Sequence, residues 1–280
     1  MSVSQEQEKY FMEGNAAEIQ RLSFQHEVLK NHIGALVLAP VEVSKGGLRI
    51  LDSATADGLW LRDLAGNVPA DNTYVGTDIM EAYFPPESDW PSNMSLTIQS
   101  ITKPWPVTWR EGFDLVHQRF ALPAAGKSGL KDALSGLIGL VKPGGWIQLV
   151  EADHSVFTGP AMGELFELVK DVFGAMDVGY DHARDIKTMF QDAGLEQVEE
   201  RVYDVPLGAK NPDAEMGQKS AHAFTMGAAG IVGAAKSTPG CTFSAARLDA
   251  LKPSIERELQ EQGGVNRVYV VWACKPVVED

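Results

Sequence analysis

The sequence predicts an α/β fold, a doubly wound and mostly parallel sheet of seven strands with helices on both faces. Short apolar segments with strand character alternate with helical patterns along the chain, which is typical of a parallel sheet. In addition, the apolar run 48–51 ends in Asp52 and is followed by small residues and then by a helical pattern. This order is typical of the first strand, turn and helix of a Rossmann-like nucleotide-binding domain.

The predicted elements follow one another at short intervals. A helix over 15–31 comes first, and strands are predicted at 49–52, 73–78, 96–100, 113–119, 146–152, 197–205 and 267–274. Helical patterns at 131–141, 163–173, 183–193 and after Ser244 lie between strands. We expect Lys142-Pro143-Gly144-Gly145 to end one helix and Gly194 to cap another, because proline and glycine stop helices. No internal repeat interrupts this alternation.

Length and composition favour one domain. The chain has 280 residues, of which 44% are hydrophobic, enough for a sizeable core. We expect a flexible N-terminus over 1–9 and a single domain over 10–280. Within that domain, N-terminal helices at 10–40 and a helical insertion at 206–264 are predicted to cover a substrate pocket.

Charge and cysteine usage limit the partners. The net charge of −14 argues against nucleic acid, which is bound mainly through Lys and Arg. No apolar run approaches a membrane span and the first residues do not resemble a signal peptide, so a cytoplasmic protein is expected. Cys241 and Cys274 have no metal-binding spacing. We therefore expect no metal and a small apolar substrate. We also expect a monomer or weak dimer.

The turn after the first predicted strand carries the strongest motif. Asp52 is followed at alternate positions by Ala54, Ala56 and Gly58. A ligand-binding turn of this kind usually has glycines at these positions, because glycine adopts positive φ without a penalty. The turn must therefore either avoid positive φ at the two alanines or accept the cost. By itself this motif fits any strand, loop and helix of an α/β enzyme about as well.

Several segments together resemble one family. They are 18–22 with Gln25-His26, the Asp52 loop with Trp60, 76–79, 104–105, 113–119, 140–146, 193–195 and 271–276. In order and spacing this set resembles the class I S-adenosylmethionine (SAM) methyltransferases, specifically a branch of fungal secondary metabolism. The resemblance covers roughly residues 10 to 276 and implies SAM as cofactor, with S-adenosylhomocysteine as product.

Within that branch, the resemblance is greatest to enzymes that methylate both thiols of a reduced epidithiodiketopiperazine such as dithiol gliotoxin. N- or O-methylation of another small secondary metabolite is the alternative within the same class. A non-catalytic SAM-binding regulator is a second alternative, which the alanines in the loop permit. A nicotinamide-dependent oxidoreductase is disfavoured because the sequence has no GxGxxG.

The resemblance also implies cofactor-binding residues. Asp78 ends the second strand, where an acid can accept hydrogen bonds from both ribose hydroxyls, although it could instead cap the next helix. Asp52 and the loop that contains Ala54 and Gly58 are expected at the amino-acid end of SAM. The other expected contacts are Ile79, Gln99, Ser100 and Ile101 at the adenine, His117 and Gln118 at the end of the fourth strand, and Tyr10 from the N-terminal segment.

The catalytic and substrate residues are predicted from the carboxyl ends of the strands, where open α/β sheets bind ligands. Asp153 and His154 follow the fifth strand and are the predicted base, against the alternative that they are solvated turn residues. A thiol acceptor needs little help from a base, because its pKa is near 8.5. Aromatic and sulfur side chains predicted to form an apolar substrate pocket are Phe11, Phe120, Phe157, Tyr180 and Met226.

Overall fold

Seven strands form one sheet in the computed structural model, which describes residues 16–68, 71–176 and 178–277. The strands are β1 (Arg49–Ser53), β2 (Thr73–Asp78), β3 (Met94–Ile98), β4 (Phe113–Arg119), β5 (Val141–Asp153), β6 (Glu196–Leu207) and β7 (Gly264–Cys274). Their order across the sheet is β3-β2-β1-β4-β5-β7-β6. Only β7 runs antiparallel to its neighbours within this sheet. The predicted doubly wound, mostly parallel sheet is confirmed.

Helices cover both faces of the sheet. They are α1 (Ala16–Ile33), α2 (Leu59–Ala65), α3 (Gly126–Leu140), α4 (Pro160–Ala175), α5 (Ile186–Asp192), α6 (Ala214–Ser237) and α7 (Ala245–Glu261). Because successive residues of a strand point to opposite faces, Leu51 packs in the core shared with α3 and α5, and Ile50 packs in the core shared with α1 and α2. A third apolar cluster joins α4, α6 and α7.

Several predicted strand boundaries differ from the structure, and two of the differences bear on the site and its support. β3 ends at Ile98, so that Gln99 and Ser100 follow the strand instead of ending it. β5 begins at Val141, before the Lys142-Pro143-Gly144-Gly145 segment that was expected to precede the strand. Val141 pairs with Phe113 and Trp146 pairs with Leu115. The segment 142–145 between them therefore forms an irregularity within the β4–β5 pairing. Sequence pattern detects the proline and glycines but not the pairing on either side of them.

The segment between β6 and β7 contains α6 and α7. Asp213 caps α6 by accepting hydrogen bonds from the backbone N–H groups of Glu215 and Met216, and Ser244 caps α7 in the same way through Arg247 N–H. α6 packs against α1, α4 and α7. Among the helices described, none combines the length and the apolar run needed to span a membrane.

Candidate active site

A cavity of about 640 Å³ opens at the carboxyl ends of β1, β2, β4 and β5. Its floor is the sheet edge with the loops that follow these strands, and its walls are α1, α4 and α6. This is the position at which open α/β sheets bind ligands. Most predicted site residues line it: Asp52, Ala54, Asp78, Ile79, Gln99, Ser100, Ile101, His117, Phe120 and His154.

The loop after β1 has the backbone shape that glycines usually give it. Ala54 has φ +57° and Ala56 has φ +52°, while Gly58, just before α2, has φ +77°. Hydrogen bonds hold this shape, since Thr55 N–H donates to Thr77 O at 2.8 Å and Gly58 N–H donates to Thr55 O at 3.0 Å. The turn thus accepts positive φ at both alanines, an unfavourable conformation for an L-residue.

Asp78 connects this loop to the end of β2. Its Oδ2 accepts a hydrogen bond from Ala56 N–H at 2.9 Å, and its Oδ1 accepts one from Met80 N–H at 3.0 Å. Burial raises the pKa of the carboxyl, and these backbone hydrogen bonds oppose the rise. Each oxygen keeps a second lone pair, so the carboxylate can still accept further hydrogen bonds. The ribose contact stays a prediction.

Asp52 at the end of β1 lies in a buried polar cluster. Thr55 Oγ1 donates to Asp52 Oδ2 at 2.6 Å, and His117 Nδ1 lies 2.7 Å from Asp52 Oδ1. The His117 ring stacks on Trp60, with ring centroids 3.9 Å apart and planes 3° from parallel. Burial lowers the pKa of His117, against the opposing hydrogen bond to Asp52. The side chains of Asp52 and His117 are therefore held in place on the cavity floor by these contacts.

Two other predicted cofactor residues have structural positions away from the cavity wall. Gln118 is fully buried, and its Oε1 accepts a hydrogen bond from Ser53 Oγ at 3.0 Å. Gly58 lies at the start of α2 with Leu96 beside it. Neither residue lines the cavity. Tyr10 lies outside the described residues.

Arg119 at the end of β4, a partly buried cation that was not among the predicted site residues, lies beside this cluster. Within the described residues no carboxylate lies at ion-pair distance from Arg119. Its Nη2 lies 3.5 Å from His26 Nδ1, and His26 Nε2 lies 2.8 Å from Asp63 Oδ2. Arg119 also lines the cavity. Its partner is a histidine 93 residues away in the sequence, which no local pattern indicates.

The end of β5 places its acidic and histidine side chains differently. His154 lines the cavity, with Nδ1 at 3.2 Å from the Tyr180 carbonyl oxygen. Asp153 is buried away from the cavity wall, and its Oδ1 accepts a hydrogen bond from Ser155 N–H at 2.8 Å. This placement does not support the catalytic role predicted for Asp153. Glu151, which the sequence analysis did not single out, lines the cavity.

The rest of the cavity is an apolar chamber between α4 and α6. Its wall is formed mainly by Leu165, Phe166, Val169, Phe173, Ala223, Phe224, Ala228 and Ile231. Phe120 also lines the cavity, with φ +55°. Of the other predicted substrate residues, Phe157, Tyr180 and Met226 are not on its wall, and Phe11 lies outside the described residues. Apolar residues on one face of α4 and of α6 line the chamber. In the sequence, these residues could not be distinguished from ordinary core residues.

The described part of the chain contains no group of three or more His, Cys, Asp or Glu side chains arranged to hold a metal ion. Polar side chains of the cavity, among them Asp52, Asp78 and His117, hydrogen-bond to one another or to the backbone. These three side chains belong to the floor, and the apolar chamber lies above them.

The sheet order, the left-handed loop after β1 and the acid at the end of β2 define a Rossmann-like fold of the class I methyltransferase type. Haemonchus contortus phosphoethanolamine N-methyltransferase 2, solved with phosphomonomethylethanolamine and S-adenosylhomocysteine, has this fold, with a TM-score of 0.53, 16% identity, and an alignment covering 92% of this chain and 52% of that one.

Curated relatives are more similar in sequence. The N-methyltransferase gliN of Aspergillus fumigatus is 32% identical over 275 residues, 95% of this chain and 96% of that protein. The N-methyltransferase sirN of Leptosphaeria maculans is 33% identical over 276 residues, 96% of each chain. No family model matches the chain. The chain belongs to the methyltransferases of fungal secondary metabolism.

Proposed function

We propose that the chain is a SAM-dependent N-methyltransferase that acts on a small, largely apolar fungal metabolite. The observation that carries the proposal is the single cavity that joins the polar floor at the ends of β1 and β2 to the apolar chamber between α4 and α6. Methyl transfer requires that a donor and an acceptor meet in one water-poor space. The nitrogen acceptor is supported by the names of the two curated relatives described above.

The floor of the cavity fits SAM. The positive φ of Ala54 and Ala56 keeps the loop in the left-handed shape that is typical of a ligand-binding turn. We assign Asp78 to the ribose hydroxyls, the segment from Gln99 to Ile101 together with Ile79 to the adenine, and the Asp52–His117 cluster to the amino-acid end. When bound, SAM supplies an electrophilic methyl group on a sulfonium.

The protein's own residues then orient the acceptor and exclude water. The aromatic and aliphatic side chains of α4 and α6 hold an apolar molecule, with Phe120 at the junction between the chamber and the floor. Holding two reactants in line can contribute several kcal/mol to catalysis, on the order of 7 or more in well-oriented cases. The protein therefore needs few chemical groups besides one that takes the proton of the acceptor.

Thiol methylation, which the resemblance suggested, is the competing acceptor chemistry. A reduced epidithiodiketopiperazine with unsubstituted ring nitrogens presents both acceptors in one molecule. The protein is incubated with this dithiol and with SAM labelled with ¹³C in the methyl group, and NMR then identifies the atom that carries the label. Cyclo(L-Tyr-L-Tyr), which offers amide nitrogens and phenol oxygens, serves as a second probe.

The expected result is label on nitrogen. Label on sulfur alone, or on oxygen alone, would refute nitrogen as the acceptor but would still show that the protein is a methyltransferase. Calorimetric titration with S-adenosylhomocysteine tests the alternative of a non-catalytic SAM-binding regulator. Binding of S-adenosylhomocysteine without methyl transfer to any probe would favour that alternative. Absence of cofactor affinity would refute the assignment of the loop after β1.

A further inference from the structure

We infer that Glu151 is the general base that accepts the N–H proton of the acceptor nitrogen as the methyl group is transferred. The inference rests on the proposed function. Glu151 lies near the end of β5, on the wall of the same cavity as Asp52 and Asp78, and is almost fully buried. A base must be within hydrogen-bond reach of the proton it takes, so a carboxylate on the cavity wall meets the geometric requirement.

The two oxygens of Glu151 have different surroundings. Its Oε1 accepts hydrogen bonds from the backbone N–H groups of Ala121 and Leu122, both at 2.9 Å. Its Oε2 has no hydrogen-bond partner in the part of the chain that the structure describes. One oxygen thus fixes the carboxylate in place, and the other is free to accept a proton from a molecule in the cavity.

Glu258 shows what a purely structural glutamate looks like in the same protein. It is also buried, but Oε2 accepts from Ala161 N–H at 2.8 Å and Oε1 accepts from Met162 N–H at 3.0 Å. Both oxygens are used to cap α4, and Glu258 does not line the cavity. The free oxygen and the cavity position distinguish Glu151 from this capping glutamate.

The protonation chemistry also favours Glu151 over His154, the base predicted from the sequence. Burial raises the pKa of Glu151 to about 7, despite the two amide hydrogen bonds that oppose the shift. Burial lowers the pKa of His154. Removal from water makes a carboxylate a stronger base and an imidazole a weaker one, because each is pushed toward its neutral form.

Other ionisable side chains share the cavity with Glu151. They are Arg21 and His26 from α1, Asp52 from β1, Asp57 from the loop after β1, Asp78 from β2, Tyr83 from the segment after β2, His117 and Arg119 from β4, and His154, which follows β5. The pH dependence of catalysis can therefore include their titration. For this reason the assignment is tested by comparing variants and not by a pH profile of the wild type alone.

The transfer step balances with one base. The nitrogen lone pair forms the new N–CH₃ bond while the C–S bond to the cofactor sulfur breaks, leaving its electron pair on sulfur. The N–H bond breaks and its proton goes to Oε2 of Glu151. The neutral carboxyl later releases that proton to water, so that no oxidant or further reactant is consumed.

The experiment compares Glu151→Gln with His154→Gln and with the control Glu258→Gln, using the dithiol diketopiperazine and ¹³C-methyl SAM. We expect Glu151→Gln to slow N-methylation about 100-fold or more, within the range for loss of a general base. We expect Glu258→Gln to lower the midpoint of thermal unfolding but to leave the rate of the folded enzyme nearly unchanged. Affinity for S-adenosylhomocysteine should remain within about threefold of wild type in each folded variant.

Two further readouts keep the inference testable if Glu151→Gln loses stability. In infrared difference spectra of the protein without substrate, wild type minus Glu151→Gln should show a protonated carboxyl band that disappears as the pH rises through about 7. Glu151→Asp keeps a carboxylate but withdraws it from the cavity, and should retain more activity than Glu151→Gln.

The results separate the inference from the proposed function. Equal activity of Glu151→Gln and wild type, or a loss confined to His154→Gln, would overturn the role of Glu151 while N-methylation by the wild type stands. A parallel fall in cofactor affinity and rate would make Glu151 a structural residue. Absence of N-methylation in the wild type would refute the proposed function itself, and with it the base.

Discussion

Replacing Ala54 or Ala56 by glycine should stabilise the protein, although glycine usually destabilises. These residues have φ +57° and +52°, in the left-handed region that is unfavourable for an L-residue. The penalty is about 1–2 kcal/mol per residue. Glycine removes it but loses more backbone entropy on folding, roughly 0.5–1 kcal/mol relative to alanine. Each substitution should therefore raise the free energy of unfolding by about 0.5–1 kcal/mol.

The structure supplies matched controls for this prediction. Ala193, which is exposed like Ala54, has φ −78° at the end of α5, so that Ala193→Gly should lower the free energy of unfolding by about 0.5–1 kcal/mol. Gly58→Ala should also destabilise, since Gly58 has φ +77° and an added Cβ would lie 3.3 Å from Leu96 Cδ2. The same substitution thus has opposite signs at Ala54 and Ala193.

Urea unfolding followed by circular dichroism and by tryptophan fluorescence gives the free energies, with the slope m checked for constancy among the variants. Ala54 and Ala56 are close enough to couple, so each is measured singly before the double variant. If Ala54→Gly were destabilising to the same degree as Ala193→Gly, the loop would not have the left-handed conformation at Ala54. The interpretation of the loop as a strained form of a glycine-rich turn would then be wrong.

Three further predictions concern the cavity. Asp78→Ala should weaken the binding of S-adenosylhomocysteine by roughly 1.5–3 kcal/mol in calorimetry, the range for hydrogen bonds to a charged group, and unchanged affinity in a folded variant would remove the ribose assignment. Gly227→Leu, on the chamber wall, should raise the KM for the acceptor and leave the cofactor affinity unchanged. Gly233→Leu, on the same helix but off the wall, should change neither the KM nor the cofactor affinity. Equal effects of the two substitutions on the KM would exclude α6 from the acceptor site. Glu151→Gln should gain stability relative to wild type as the pH rises from about 5 to 8. The pKa of Glu151 in the folded protein is about 7, above its ordinary value of 4.5, so ionisation of the wild-type carboxyl opposes folding increasingly up to about pH 7, by at most about 3 kcal/mol. A constant difference in unfolding free energy between the two proteins across this range would contradict the raised pKa.

The fold was predictable because its signals are local. The apolar run before Asp52, the strand that ends at Asp78 and the glycine cap at Gly194 each require only neighbouring residues, and Gly194 has the expected positive φ of +77°. The shifted start of β5 was not predictable, because it depends on pairing of Val141 with Phe113 on another strand. Periodicity indicates that a segment is extended but does not identify the residue that pairs with its first one.

The candidate site was predictable where residues follow a strand, and less so where burial decides their role. Asp153 and His154 were predicted as the base because they follow the predicted fifth strand, whereas Glu151 lies within it. A signal for Glu151 was present, since strand alternation places it on the same face as Ile147 and Leu149, which belong to the core. An acid on a core face needs hydrogen-bond partners, but the amides of Ala121 and Leu122 that supply them could be identified only in three dimensions.

The unfavourable features of the molecule are concentrated around the cavity. Of the five described non-glycine residues with positive φ, Ala54, Ala56 and Phe120 line it. Phe120 immediately precedes the two amides that bind Glu151, so the strained backbone and the buried carboxylate belong to one structure. Such features persist only where the surrounding structure holds them, and they are common at functional sites. Here the core on either side of the sheet and the cluster of α4, α6 and α7 provide that support. The cost in stability at Ala54, Ala56 and Glu151 is therefore the physical reason to expect binding and chemistry at this end of the sheet.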